Sequence, residues 1–191
     1  MPFSILDFRF RIFQSAICNR KSQIKEMGFQ STSTSQTIHI GKQIGSLLRP
    51  GDVIALVGEL GTGKTHLVKG LAAGVGVKRS GQISSPSFTL IHEYEGRIPF
   101  YHIDLFRLKA EREAVELGLE EYFGGKGTTA IEWADRIPSL LPKEMLSLHM
   151  RYTGKHTRFI EMVGKGKRYE ELTRELVSSR ALHVSSMEPE T

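Results

Sequence analysis

Hydrophobic residues recur along the chain with two different periods, which predict helices alternating with strands. Over residues 40–48, apolar side chains return every three or four positions, as on one face of a helix. Thr34 or Ser35 is the predicted cap of this helix, and the Pro-Gly pair at residues 50–51 ends it. Residues 53–57 are apolar without interruption, which is typical of a strand buried on both faces.

The rest of the chain continues this alternation. The helical period returns over residues 65–73 and 110–117, and predicted strands cover residues 88–94, 100–106 and 128–133. Residues 146–152 alternate between apolar and polar, which predicts a half-exposed strand, and residues 158–163 can pair with it as an antiparallel hairpin. A closing helix is predicted over residues 169–177.

Composition narrows the class of protein. The chain has 191 residues, of which 39% are hydrophobic and 25% charged, as in one globular domain. No apolar run approaches the roughly 20 residues that cross a bilayer, so we expect no membrane association. Cys18 is the single cysteine, which excludes an internal disulfide and cysteine clusters for zinc or iron–sulfur centres. A reducing cytoplasm is therefore the expected location.

The net charge of +5 is concentrated near the amino terminus. Residues 1–30 hold five basic and two acidic residues, so the body of the chain is close to neutral. We expect residues 1–30 to be a poorly ordered N-terminal extension, with a targeting peptide or a true start at Met27 as alternatives. Residues 31–177 are then one domain, and residues 178–191 form a C-terminal tail.

The chemistry of the chain is concentrated in Gly58-Glu59-Leu60-Gly61-Thr62-Gly63-Lys64-Thr65, which matches G-x-x-x-x-G-K-[ST]. This loop joins a predicted strand to a predicted helix, as in nucleotide-binding α/β proteins. Its glycines let backbone N–H groups approach an anion, Lys64 can reach the β- and γ-phosphates, and the Thr65 hydroxyl can ligate Mg²⁺. The sequence therefore predicts a three-layer α/β/α P-loop NTPase fold, with a mostly parallel central sheet and an antiparallel C-terminal hairpin.

A Mg²⁺–nucleotide site also needs a carboxylate, and two candidates lie at the ends of predicted strands. These are Asp104, after Ile103, and Glu132, after Ile131. Because a parallel sheet binds its ligand at the carboxyl ends of its strands, we expect both carboxylates near the phosphate loop. Their spacing leaves open which of them ligates the metal. His102 is expected to fill a buried hydrogen-bonding role rather than to act as a base.

Four segments together resemble the TsaE (YjeE) family, the small bacterial ATPases of tRNA threonylcarbamoyladenosine biosynthesis. They are the phosphate loop with its Leu60-Gly61 pair, Ser85-Pro86-Ser87-Phe88, Tyr101-His102-Ile103-Asp104-Leu105-Phe106-Arg107-Leu108 and Ile131-Glu132-Trp133. The resemblance runs from about residue 31 to residue 163, in the family's order. It implies an ATPase that uses ATP and Mg²⁺, works with the TsaB and TsaD proteins, and meets tRNA only indirectly through that assembly.

The resemblance also implies roles for individual residues. The nucleotide would contact Thr37, Glu59, Leu60, Gly61, Thr62, Gly63, Lys64, Thr65 and Arg158. Thr65 and Glu132 would hold Mg²⁺, whereas Lys64 and Asp104 would be catalytic, Asp104 by supporting the metal or the attacking water. Residues 85–88 resemble the family's switch-like loop, in which Ser87 replaces the usual threonine.

Two other classes of function remain open from the sequence. A P-loop small-molecule kinase would need an arginine-bearing lid, whereas residues 111–123 are short and acidic. A direct tRNA-binding module would lose affinity steeply with salt, and the near-neutral body of the chain predicts little such binding. The favoured mechanism is in-line attack of water on the γ-phosphate of ATP, assisted by Lys64, Mg²⁺ and a carboxylate.

Overall fold

One mixed sheet of seven strands organises the computed structural model, which describes residues 27–178. The strands are β1 (Gly28–Ser31), β2 (Val53–Gly58), β3 (Ile91–Tyr94), β4 (Phe100–Asp104), β5 (Thr128–Glu132), β6 (Met145–Tyr152) and β7 (Arg158–Lys165). Their order across the sheet is β1-β7-β6-β2-β5-β4-β3. The four central strands are parallel and the outer pairings are antiparallel, which confirms the predicted parallel centre and the C-terminal hairpin.

Helices cover both faces of this sheet. They are α1 (Thr34–Ser46), α2 (Lys64–Val75), α3 (Glu111–Glu116) and α4 (Lys167–Ser178). Helices α1, α2 and α4 bury Ile44, Leu71 and Leu172 in the core of one face, whereas α3 and short 3₁₀ turns cover the other. The predicted three-layer α/β/α fold is confirmed. Within the described residues, no helix has the length and apolar character that a bilayer span requires.

Helices α1 and α2 pack with their backbones in close contact, which fixes the helix that follows the phosphate loop. A Cβ atom at Gly45 would lie 2.1 Å from the carbonyl oxygen of Leu71, and one at Gly70 would lie 2.2 Å from that of Ile38. Both distances are far below van der Waals contact, so only glycine fits at these positions. Helix α2 is thereby held close to α1, and its first residue, Lys64, has a defined place beside the loop.

Two predicted strands are shorter in the structure because the chain turns near the site. Strand β3 begins at Ile91 instead of residue 88, since Leu90 has a φ of 65° and its N–H donates to the Pro86 carbonyl at 2.6 Å. Strand β4 ends at Asp104 instead of residue 106, because Asp104 Oδ1 accepts a hydrogen bond from the Phe106 N–H at 2.9 Å. Strand β6 is buried along most of its length instead of half-exposed, since it lies between β7 and β2.

Ser33, rather than Thr34 or Ser35, caps helix α1. Its hydroxyl accepts a hydrogen bond from the Gln36 N–H at 3.1 Å. The Gln36 side chain in turn accepts from the Thr32 N–H at 2.8 Å. This reciprocal pairing is similar to a capping box and fixes the start of the helix directly after strand β1.

The boundaries of the domain also differ from the predicted ones. Strand β1 pairs with β7 from Gly28 onward, so the domain begins before the predicted residue 31. At the other end, Ser178 still belongs to helix α4 rather than to the predicted tail. The expectations for residues 1–26 and 179–191 lie outside the described residues.

Candidate nucleotide and metal site

The loop between β2 and α2 has the backbone that its glycines predict. Gly61 and Gly63 have φ values of 83° and 98°, a region that favours glycine. A Cβ atom at Gly58 would lie 2.4 Å from the carbonyl oxygen of Met150, so this position also requires glycine. Helix α2 begins directly after Gly63, and the amino end of a helix favours an anion.

Lys64 is the first residue of α2, and its partly buried ammonium group lies beside the loop. Nζ donates to the carbonyl oxygens of Gly58 at 2.7 Å and Glu59 at 2.8 Å, and it lies 3.9 Å from the ring centroid of Trp133. Burial lowers the pKa of Lys64 from its usual value, and nearby carboxylates, first among them Glu132, oppose this shift. The Lys64 ammonium group is therefore positioned beside the loop by hydrogen bonds to two carbonyl oxygens, and phosphate oxygens could replace these acceptors.

Glu132 is held from two sides at the end of strand β5. Its Oε2 accepts a hydrogen bond from the Thr65 hydroxyl at 3.0 Å, and its Oε1 lies 2.9 Å from His102 Nε2. The glutamate is 3% exposed. The predicted metal ligands Thr65 and Glu132 are thus in direct contact, and the expectation that His102 has a buried hydrogen-bonding role is confirmed.

Asp104 lies beside Glu132, because the two residues are register partners on the parallel strands β4 and β5. Its carboxylate accepts hydrogen bonds from the Phe106 N–H and from the Ser85 hydroxyl. The Ser87 hydroxyl lies 3.2 Å from the Ser85 hydroxyl, which can accept its hydrogen bond. The switch-like loop is therefore attached to the sheet through Asp104, a link that the sequence did not reveal.

These groups line one cavity of about 350 Å³ at the carboxyl ends of the central strands. Its walls are formed by Leu60, Gly61, Gly63, Lys64, Thr65, His66, Ser85, Ser87, Asp104, Phe106, Glu132 and Trp133. The structure thus brings together most of the predicted residues of the loop and both predicted carboxylates.

Four of the predicted nucleotide contacts are not among the residues that line the cavity: Thr37, Glu59, Thr62 and Arg158. Thr62 is fully buried, and its hydroxyl donates to the Glu59 carbonyl at 2.9 Å, which closes the loop. Thr37 is also fully buried, so its predicted contact with the nucleotide requires a movement. Arg158 Nη1 donates to the Thr37 hydroxyl at 3.3 Å and lies 3.0 Å from where a Cβ atom at Gly63 would be. Arg158 is therefore the nearer of these two side chains to the loop.

Sequence reasoning missed two residues that line the cavity. His66 lies on the first turn of α2, and burial, followed by the charges of Lys69 and Arg158, lowers its pKa. Phe106 packs against Trp133 with ring centroids 5.2 Å apart. His66 could have been predicted, because it follows Lys64 by two residues. The Phe106–Trp133 contact joins the segments that follow β4 and β5, so no local pattern in the sequence indicated it.

The donor set at Glu132 suits a magnesium ion. Within residues 27–178, no group of three or more His, Cys, Asp or Glu side chains could form a metal cage. Mg²⁺ instead uses one or two carboxylates together with water and substrate phosphates. The adjacent Thr65 and Glu132 oxygens beside a phosphate loop meet this requirement.

A phosphate loop between a buried strand and a helix, on a three-layer sheet with a parallel centre, defines the class of P-loop NTPase folds. Within this class, residues 31–160 match the family model described as threonylcarbamoyl adenosine biosynthesis protein TsaE. This match covers more than half of the chain, and the chain belongs to the TsaE family.

Individual relatives agree with this assignment. The TsaE proteins of tRNA threonylcarbamoyladenosine biosynthesis from Bacillus subtilis and Treponema pallidum are each 40% identical to the chain. The first alignment covers 80% of this chain and 95% of the relative, and the second covers 63% and 88%. The crystal structure of Bacillus subtilis YdiB superposes with a TM-score of 0.68 at 36% identity, covering 82% of this chain and 97% of YdiB.

Proposed function

We propose that this protein binds ATP with Mg²⁺ and hydrolyses it as the ATPase component of tRNA threonylcarbamoyladenosine biosynthesis, in the cytoplasm and together with TsaB and TsaD. Family membership supports the pathway. The observation that carries the nucleotide chemistry is the convergence of Lys64, Thr65, Glu132 and Asp104 on one cavity at the end of strand β2.

Lys64 and the loop backbone bind the phosphates in this proposal. The ammonium group would exchange its bonds to the Gly58 and Glu59 carbonyls for the β- and γ-phosphates. Loop N–H groups and the amino end of helix α2 add positive potential at the same place. These fixed donors stabilise the negative charge that develops during phosphoryl transfer.

Thr65 and Glu132 would hold Mg²⁺, which would supply positive charge to stabilise the phosphate oxygens. Their present hydrogen bond of 3.0 Å keeps both oxygens at one point of the cavity wall. The neighbouring Asp104 would orient the attacking water through a carboxylate oxygen. Because Asp104 also accepts from the Ser85 hydroxyl, movement of the switch-like loop would change where that oxygen points.

The arrangement of arginines supports slow hydrolysis by the protein alone. The Arg107 guanidinium lies 3.9 Å from the ring centroid of Phe88, and Arg136 donates to the Leu108 carbonyl. Both guanidinium groups are thus already engaged in contacts within the protein. Since an arginine that contacts the transferred phosphoryl group accelerates hydrolysis by about 10³–10⁵, we propose that partner proteins complete the site or reposition these residues.

Two measurements test this proposal. Calorimetric titration should show ATP binding that strengthens with Mg²⁺, and Glu132→Gln should reduce that strengthening by about tenfold while leaving binding in EDTA unchanged. Hydrolysis should be slow alone and faster with TsaB and TsaD, which an ATP-dependent pull-down should recover. Native Mg²⁺ dependence in Glu132→Gln would remove the metal assignment, and phosphate transfer to a small acceptor instead of water would favour the kinase alternative.

A further inference from the structure

His102 is buried next to Glu132, one of the two proposed metal ligands. It is fully buried on strand β4, two residues before Asp104 and therefore on the same face of the sheet. Its Nε2 lies 2.9 Å from Glu132 Oε1, while the Thr65 hydroxyl donates to the other oxygen. The carboxylate is thus held between one donor from the sheet and one from helix α2.

The two ring nitrogens of His102 have different surroundings. Nδ1 is buried and has no hydrogen-bond partner among the described residues. A hydrogen on Nδ1 would therefore be buried without an acceptor, which is unfavourable. The carboxylate of Glu132 can only accept, so the hydrogen belongs on Nε2 and is donated to Oε1.

We propose that His102 is a positioning residue for the metal site, whose Nε2–H holds the Glu132 carboxylate in the orientation that presents Oε2 to Thr65 and to Mg²⁺. This inference rests on the proposed function. Without the imidazole, a buried carboxylate oxygen would lose its donor, and the glutamate side chain could rotate away from Thr65. Outer partners of metal ligands typically change metal affinity by about 10–100-fold when they are removed.

His92 provides a matched control. It is the register partner of His102 on the neighbouring strand β3, so the two residues occupy equivalent places on adjacent strands. Its Nδ1 lies 3.2 Å from the Tyr94 hydroxyl, and its side chain is half-buried. Replacement of His92 therefore removes an imidazole from the position beside His102 in the sheet, while the donor to Glu132 remains.

The test compares His102→Leu, His102→Gln and His92→Leu in the full chain. We would measure ATP affinity at increasing Mg²⁺ concentrations and determine the concentration that gives half of the full increase in affinity. ATP affinity in EDTA is measured separately. His102→Leu should raise the half-saturating Mg²⁺ about tenfold and leave EDTA binding unchanged. His102→Gln places an amide N–H near the Nε2 position and should restore the value to within about threefold, and His92→Leu should match the unchanged protein.

A native Mg²⁺ requirement in folded His102→Leu would overturn the inference, as would equal defects in His102→Gln and His102→Leu. If His102→Leu does not fold, nitrogen NMR of the unchanged protein decides, because the hydrogen of the His102 ring must be on Nε2. A ring protonated on Nδ1 alone would contradict the proposal. The Glu132→Gln variant tests the proposed metal site separately from the role of His102. If Glu132→Gln weakens Mg²⁺-dependent binding and His102→Leu does not, only the role of His102 fails.

Discussion

The two ends of strand β2 each face a cavity of about 350 Å³, but their polar groups are arranged differently. At the amino end, Asp52 pairs with Arg168 at 2.8 Å and accepts from the Arg49 N–H at 2.8 Å. The Tyr169 hydroxyl accepts from the Val53 N–H at 2.8 Å. These groups bind one another and join helix α4 to the start of the strand.

At the carboxyl end, the two carboxylates that line the cavity are positioned by hydroxyl, imidazole and backbone donors instead of by an arginine. Glu132 is held by His102 and Thr65, and Asp104 is held by Ser85 and the Phe106 backbone. The comparison teaches that burial of a charge does not by itself indicate function. We expect changes at the amino end to affect the free energy of unfolding, and changes at the carboxyl end to affect binding and turnover.

The largest effect is expected for Lys64→Ala. Removal of the cation that we propose to contact the β- and γ-phosphates should weaken Mg²⁺–ATP binding about a thousandfold, since truncating one partner of a buried charge pair costs about 2–5 kcal/mol. The midpoint of thermal unfolding should change little, because the contacts of Nζ with residues 27–178 are to loop carbonyls and the Trp133 ring. Calorimetric titration measures the affinity, and unchanged affinity in a folded variant would remove the basis of the proposed function.

Asp104→Asn should separate turnover from binding. Hydrolysis in the presence of the partner proteins should fall about a hundredfold if the carboxylate orients or deprotonates water. ATP affinity should change by less than about threefold, because Lys64 and Glu132 remain. Phosphate release and calorimetry measure the two quantities, and the reverse pattern would exchange the roles of Asp104 and Glu132.

Asp52→Ala is the matching change at the other end of the strand. It leaves Arg168 without its carboxylate and removes the acceptor of the Arg49 N–H, so we expect about 2 kcal/mol of destabilisation. Denaturant unfolding measures this loss. Nucleotide affinity should match that of the unchanged protein; a parallel loss of affinity would show that the two ends of β2 are coupled.

The smallest effect concerns Tyr169 and alkaline pH. Burial raises the pKa of Tyr169 to about 12 from 10.0, so the folded state keeps the phenol proton more tightly than the unfolded chain. The stabilisation from this group is present below pH 10 and is lost as the pH rises through 12. Tyr169→Phe should cost about 1 kcal/mol at pH 8, since the Val53 N–H loses its acceptor.

The same variant should show a shallower fall in stability above pH 10. Unfolding measured at several pH values, as a difference between the two proteins, isolates Tyr169 from the other tyrosines and lysines. Equal slopes for the two proteins would show that Tyr169 does not carry the alkaline transition.

The amino-acid sequence alone predicts the phosphate loop, the strand before it and the helix after it. These features are local: a run of apolar residues, glycines at positions of positive φ, and a Lys-Thr pair at the start of a helix. The carboxylates could also be found, because each directly follows a run of mostly apolar residues in a predicted strand.

How distant segments meet depends on the tertiary structure. The register between β4 and β5 places Asp104 beside Glu132, and His102 donates to a glutamate thirty residues away. Strand β1 joins the sheet by pairing with β7, which corrects the boundary predicted at residue 31. Such pairings depend on which strands become neighbours and in which register. A local hydrophobic period describes only one segment at a time. It therefore determines neither which strands are neighbours nor the register in which they pair.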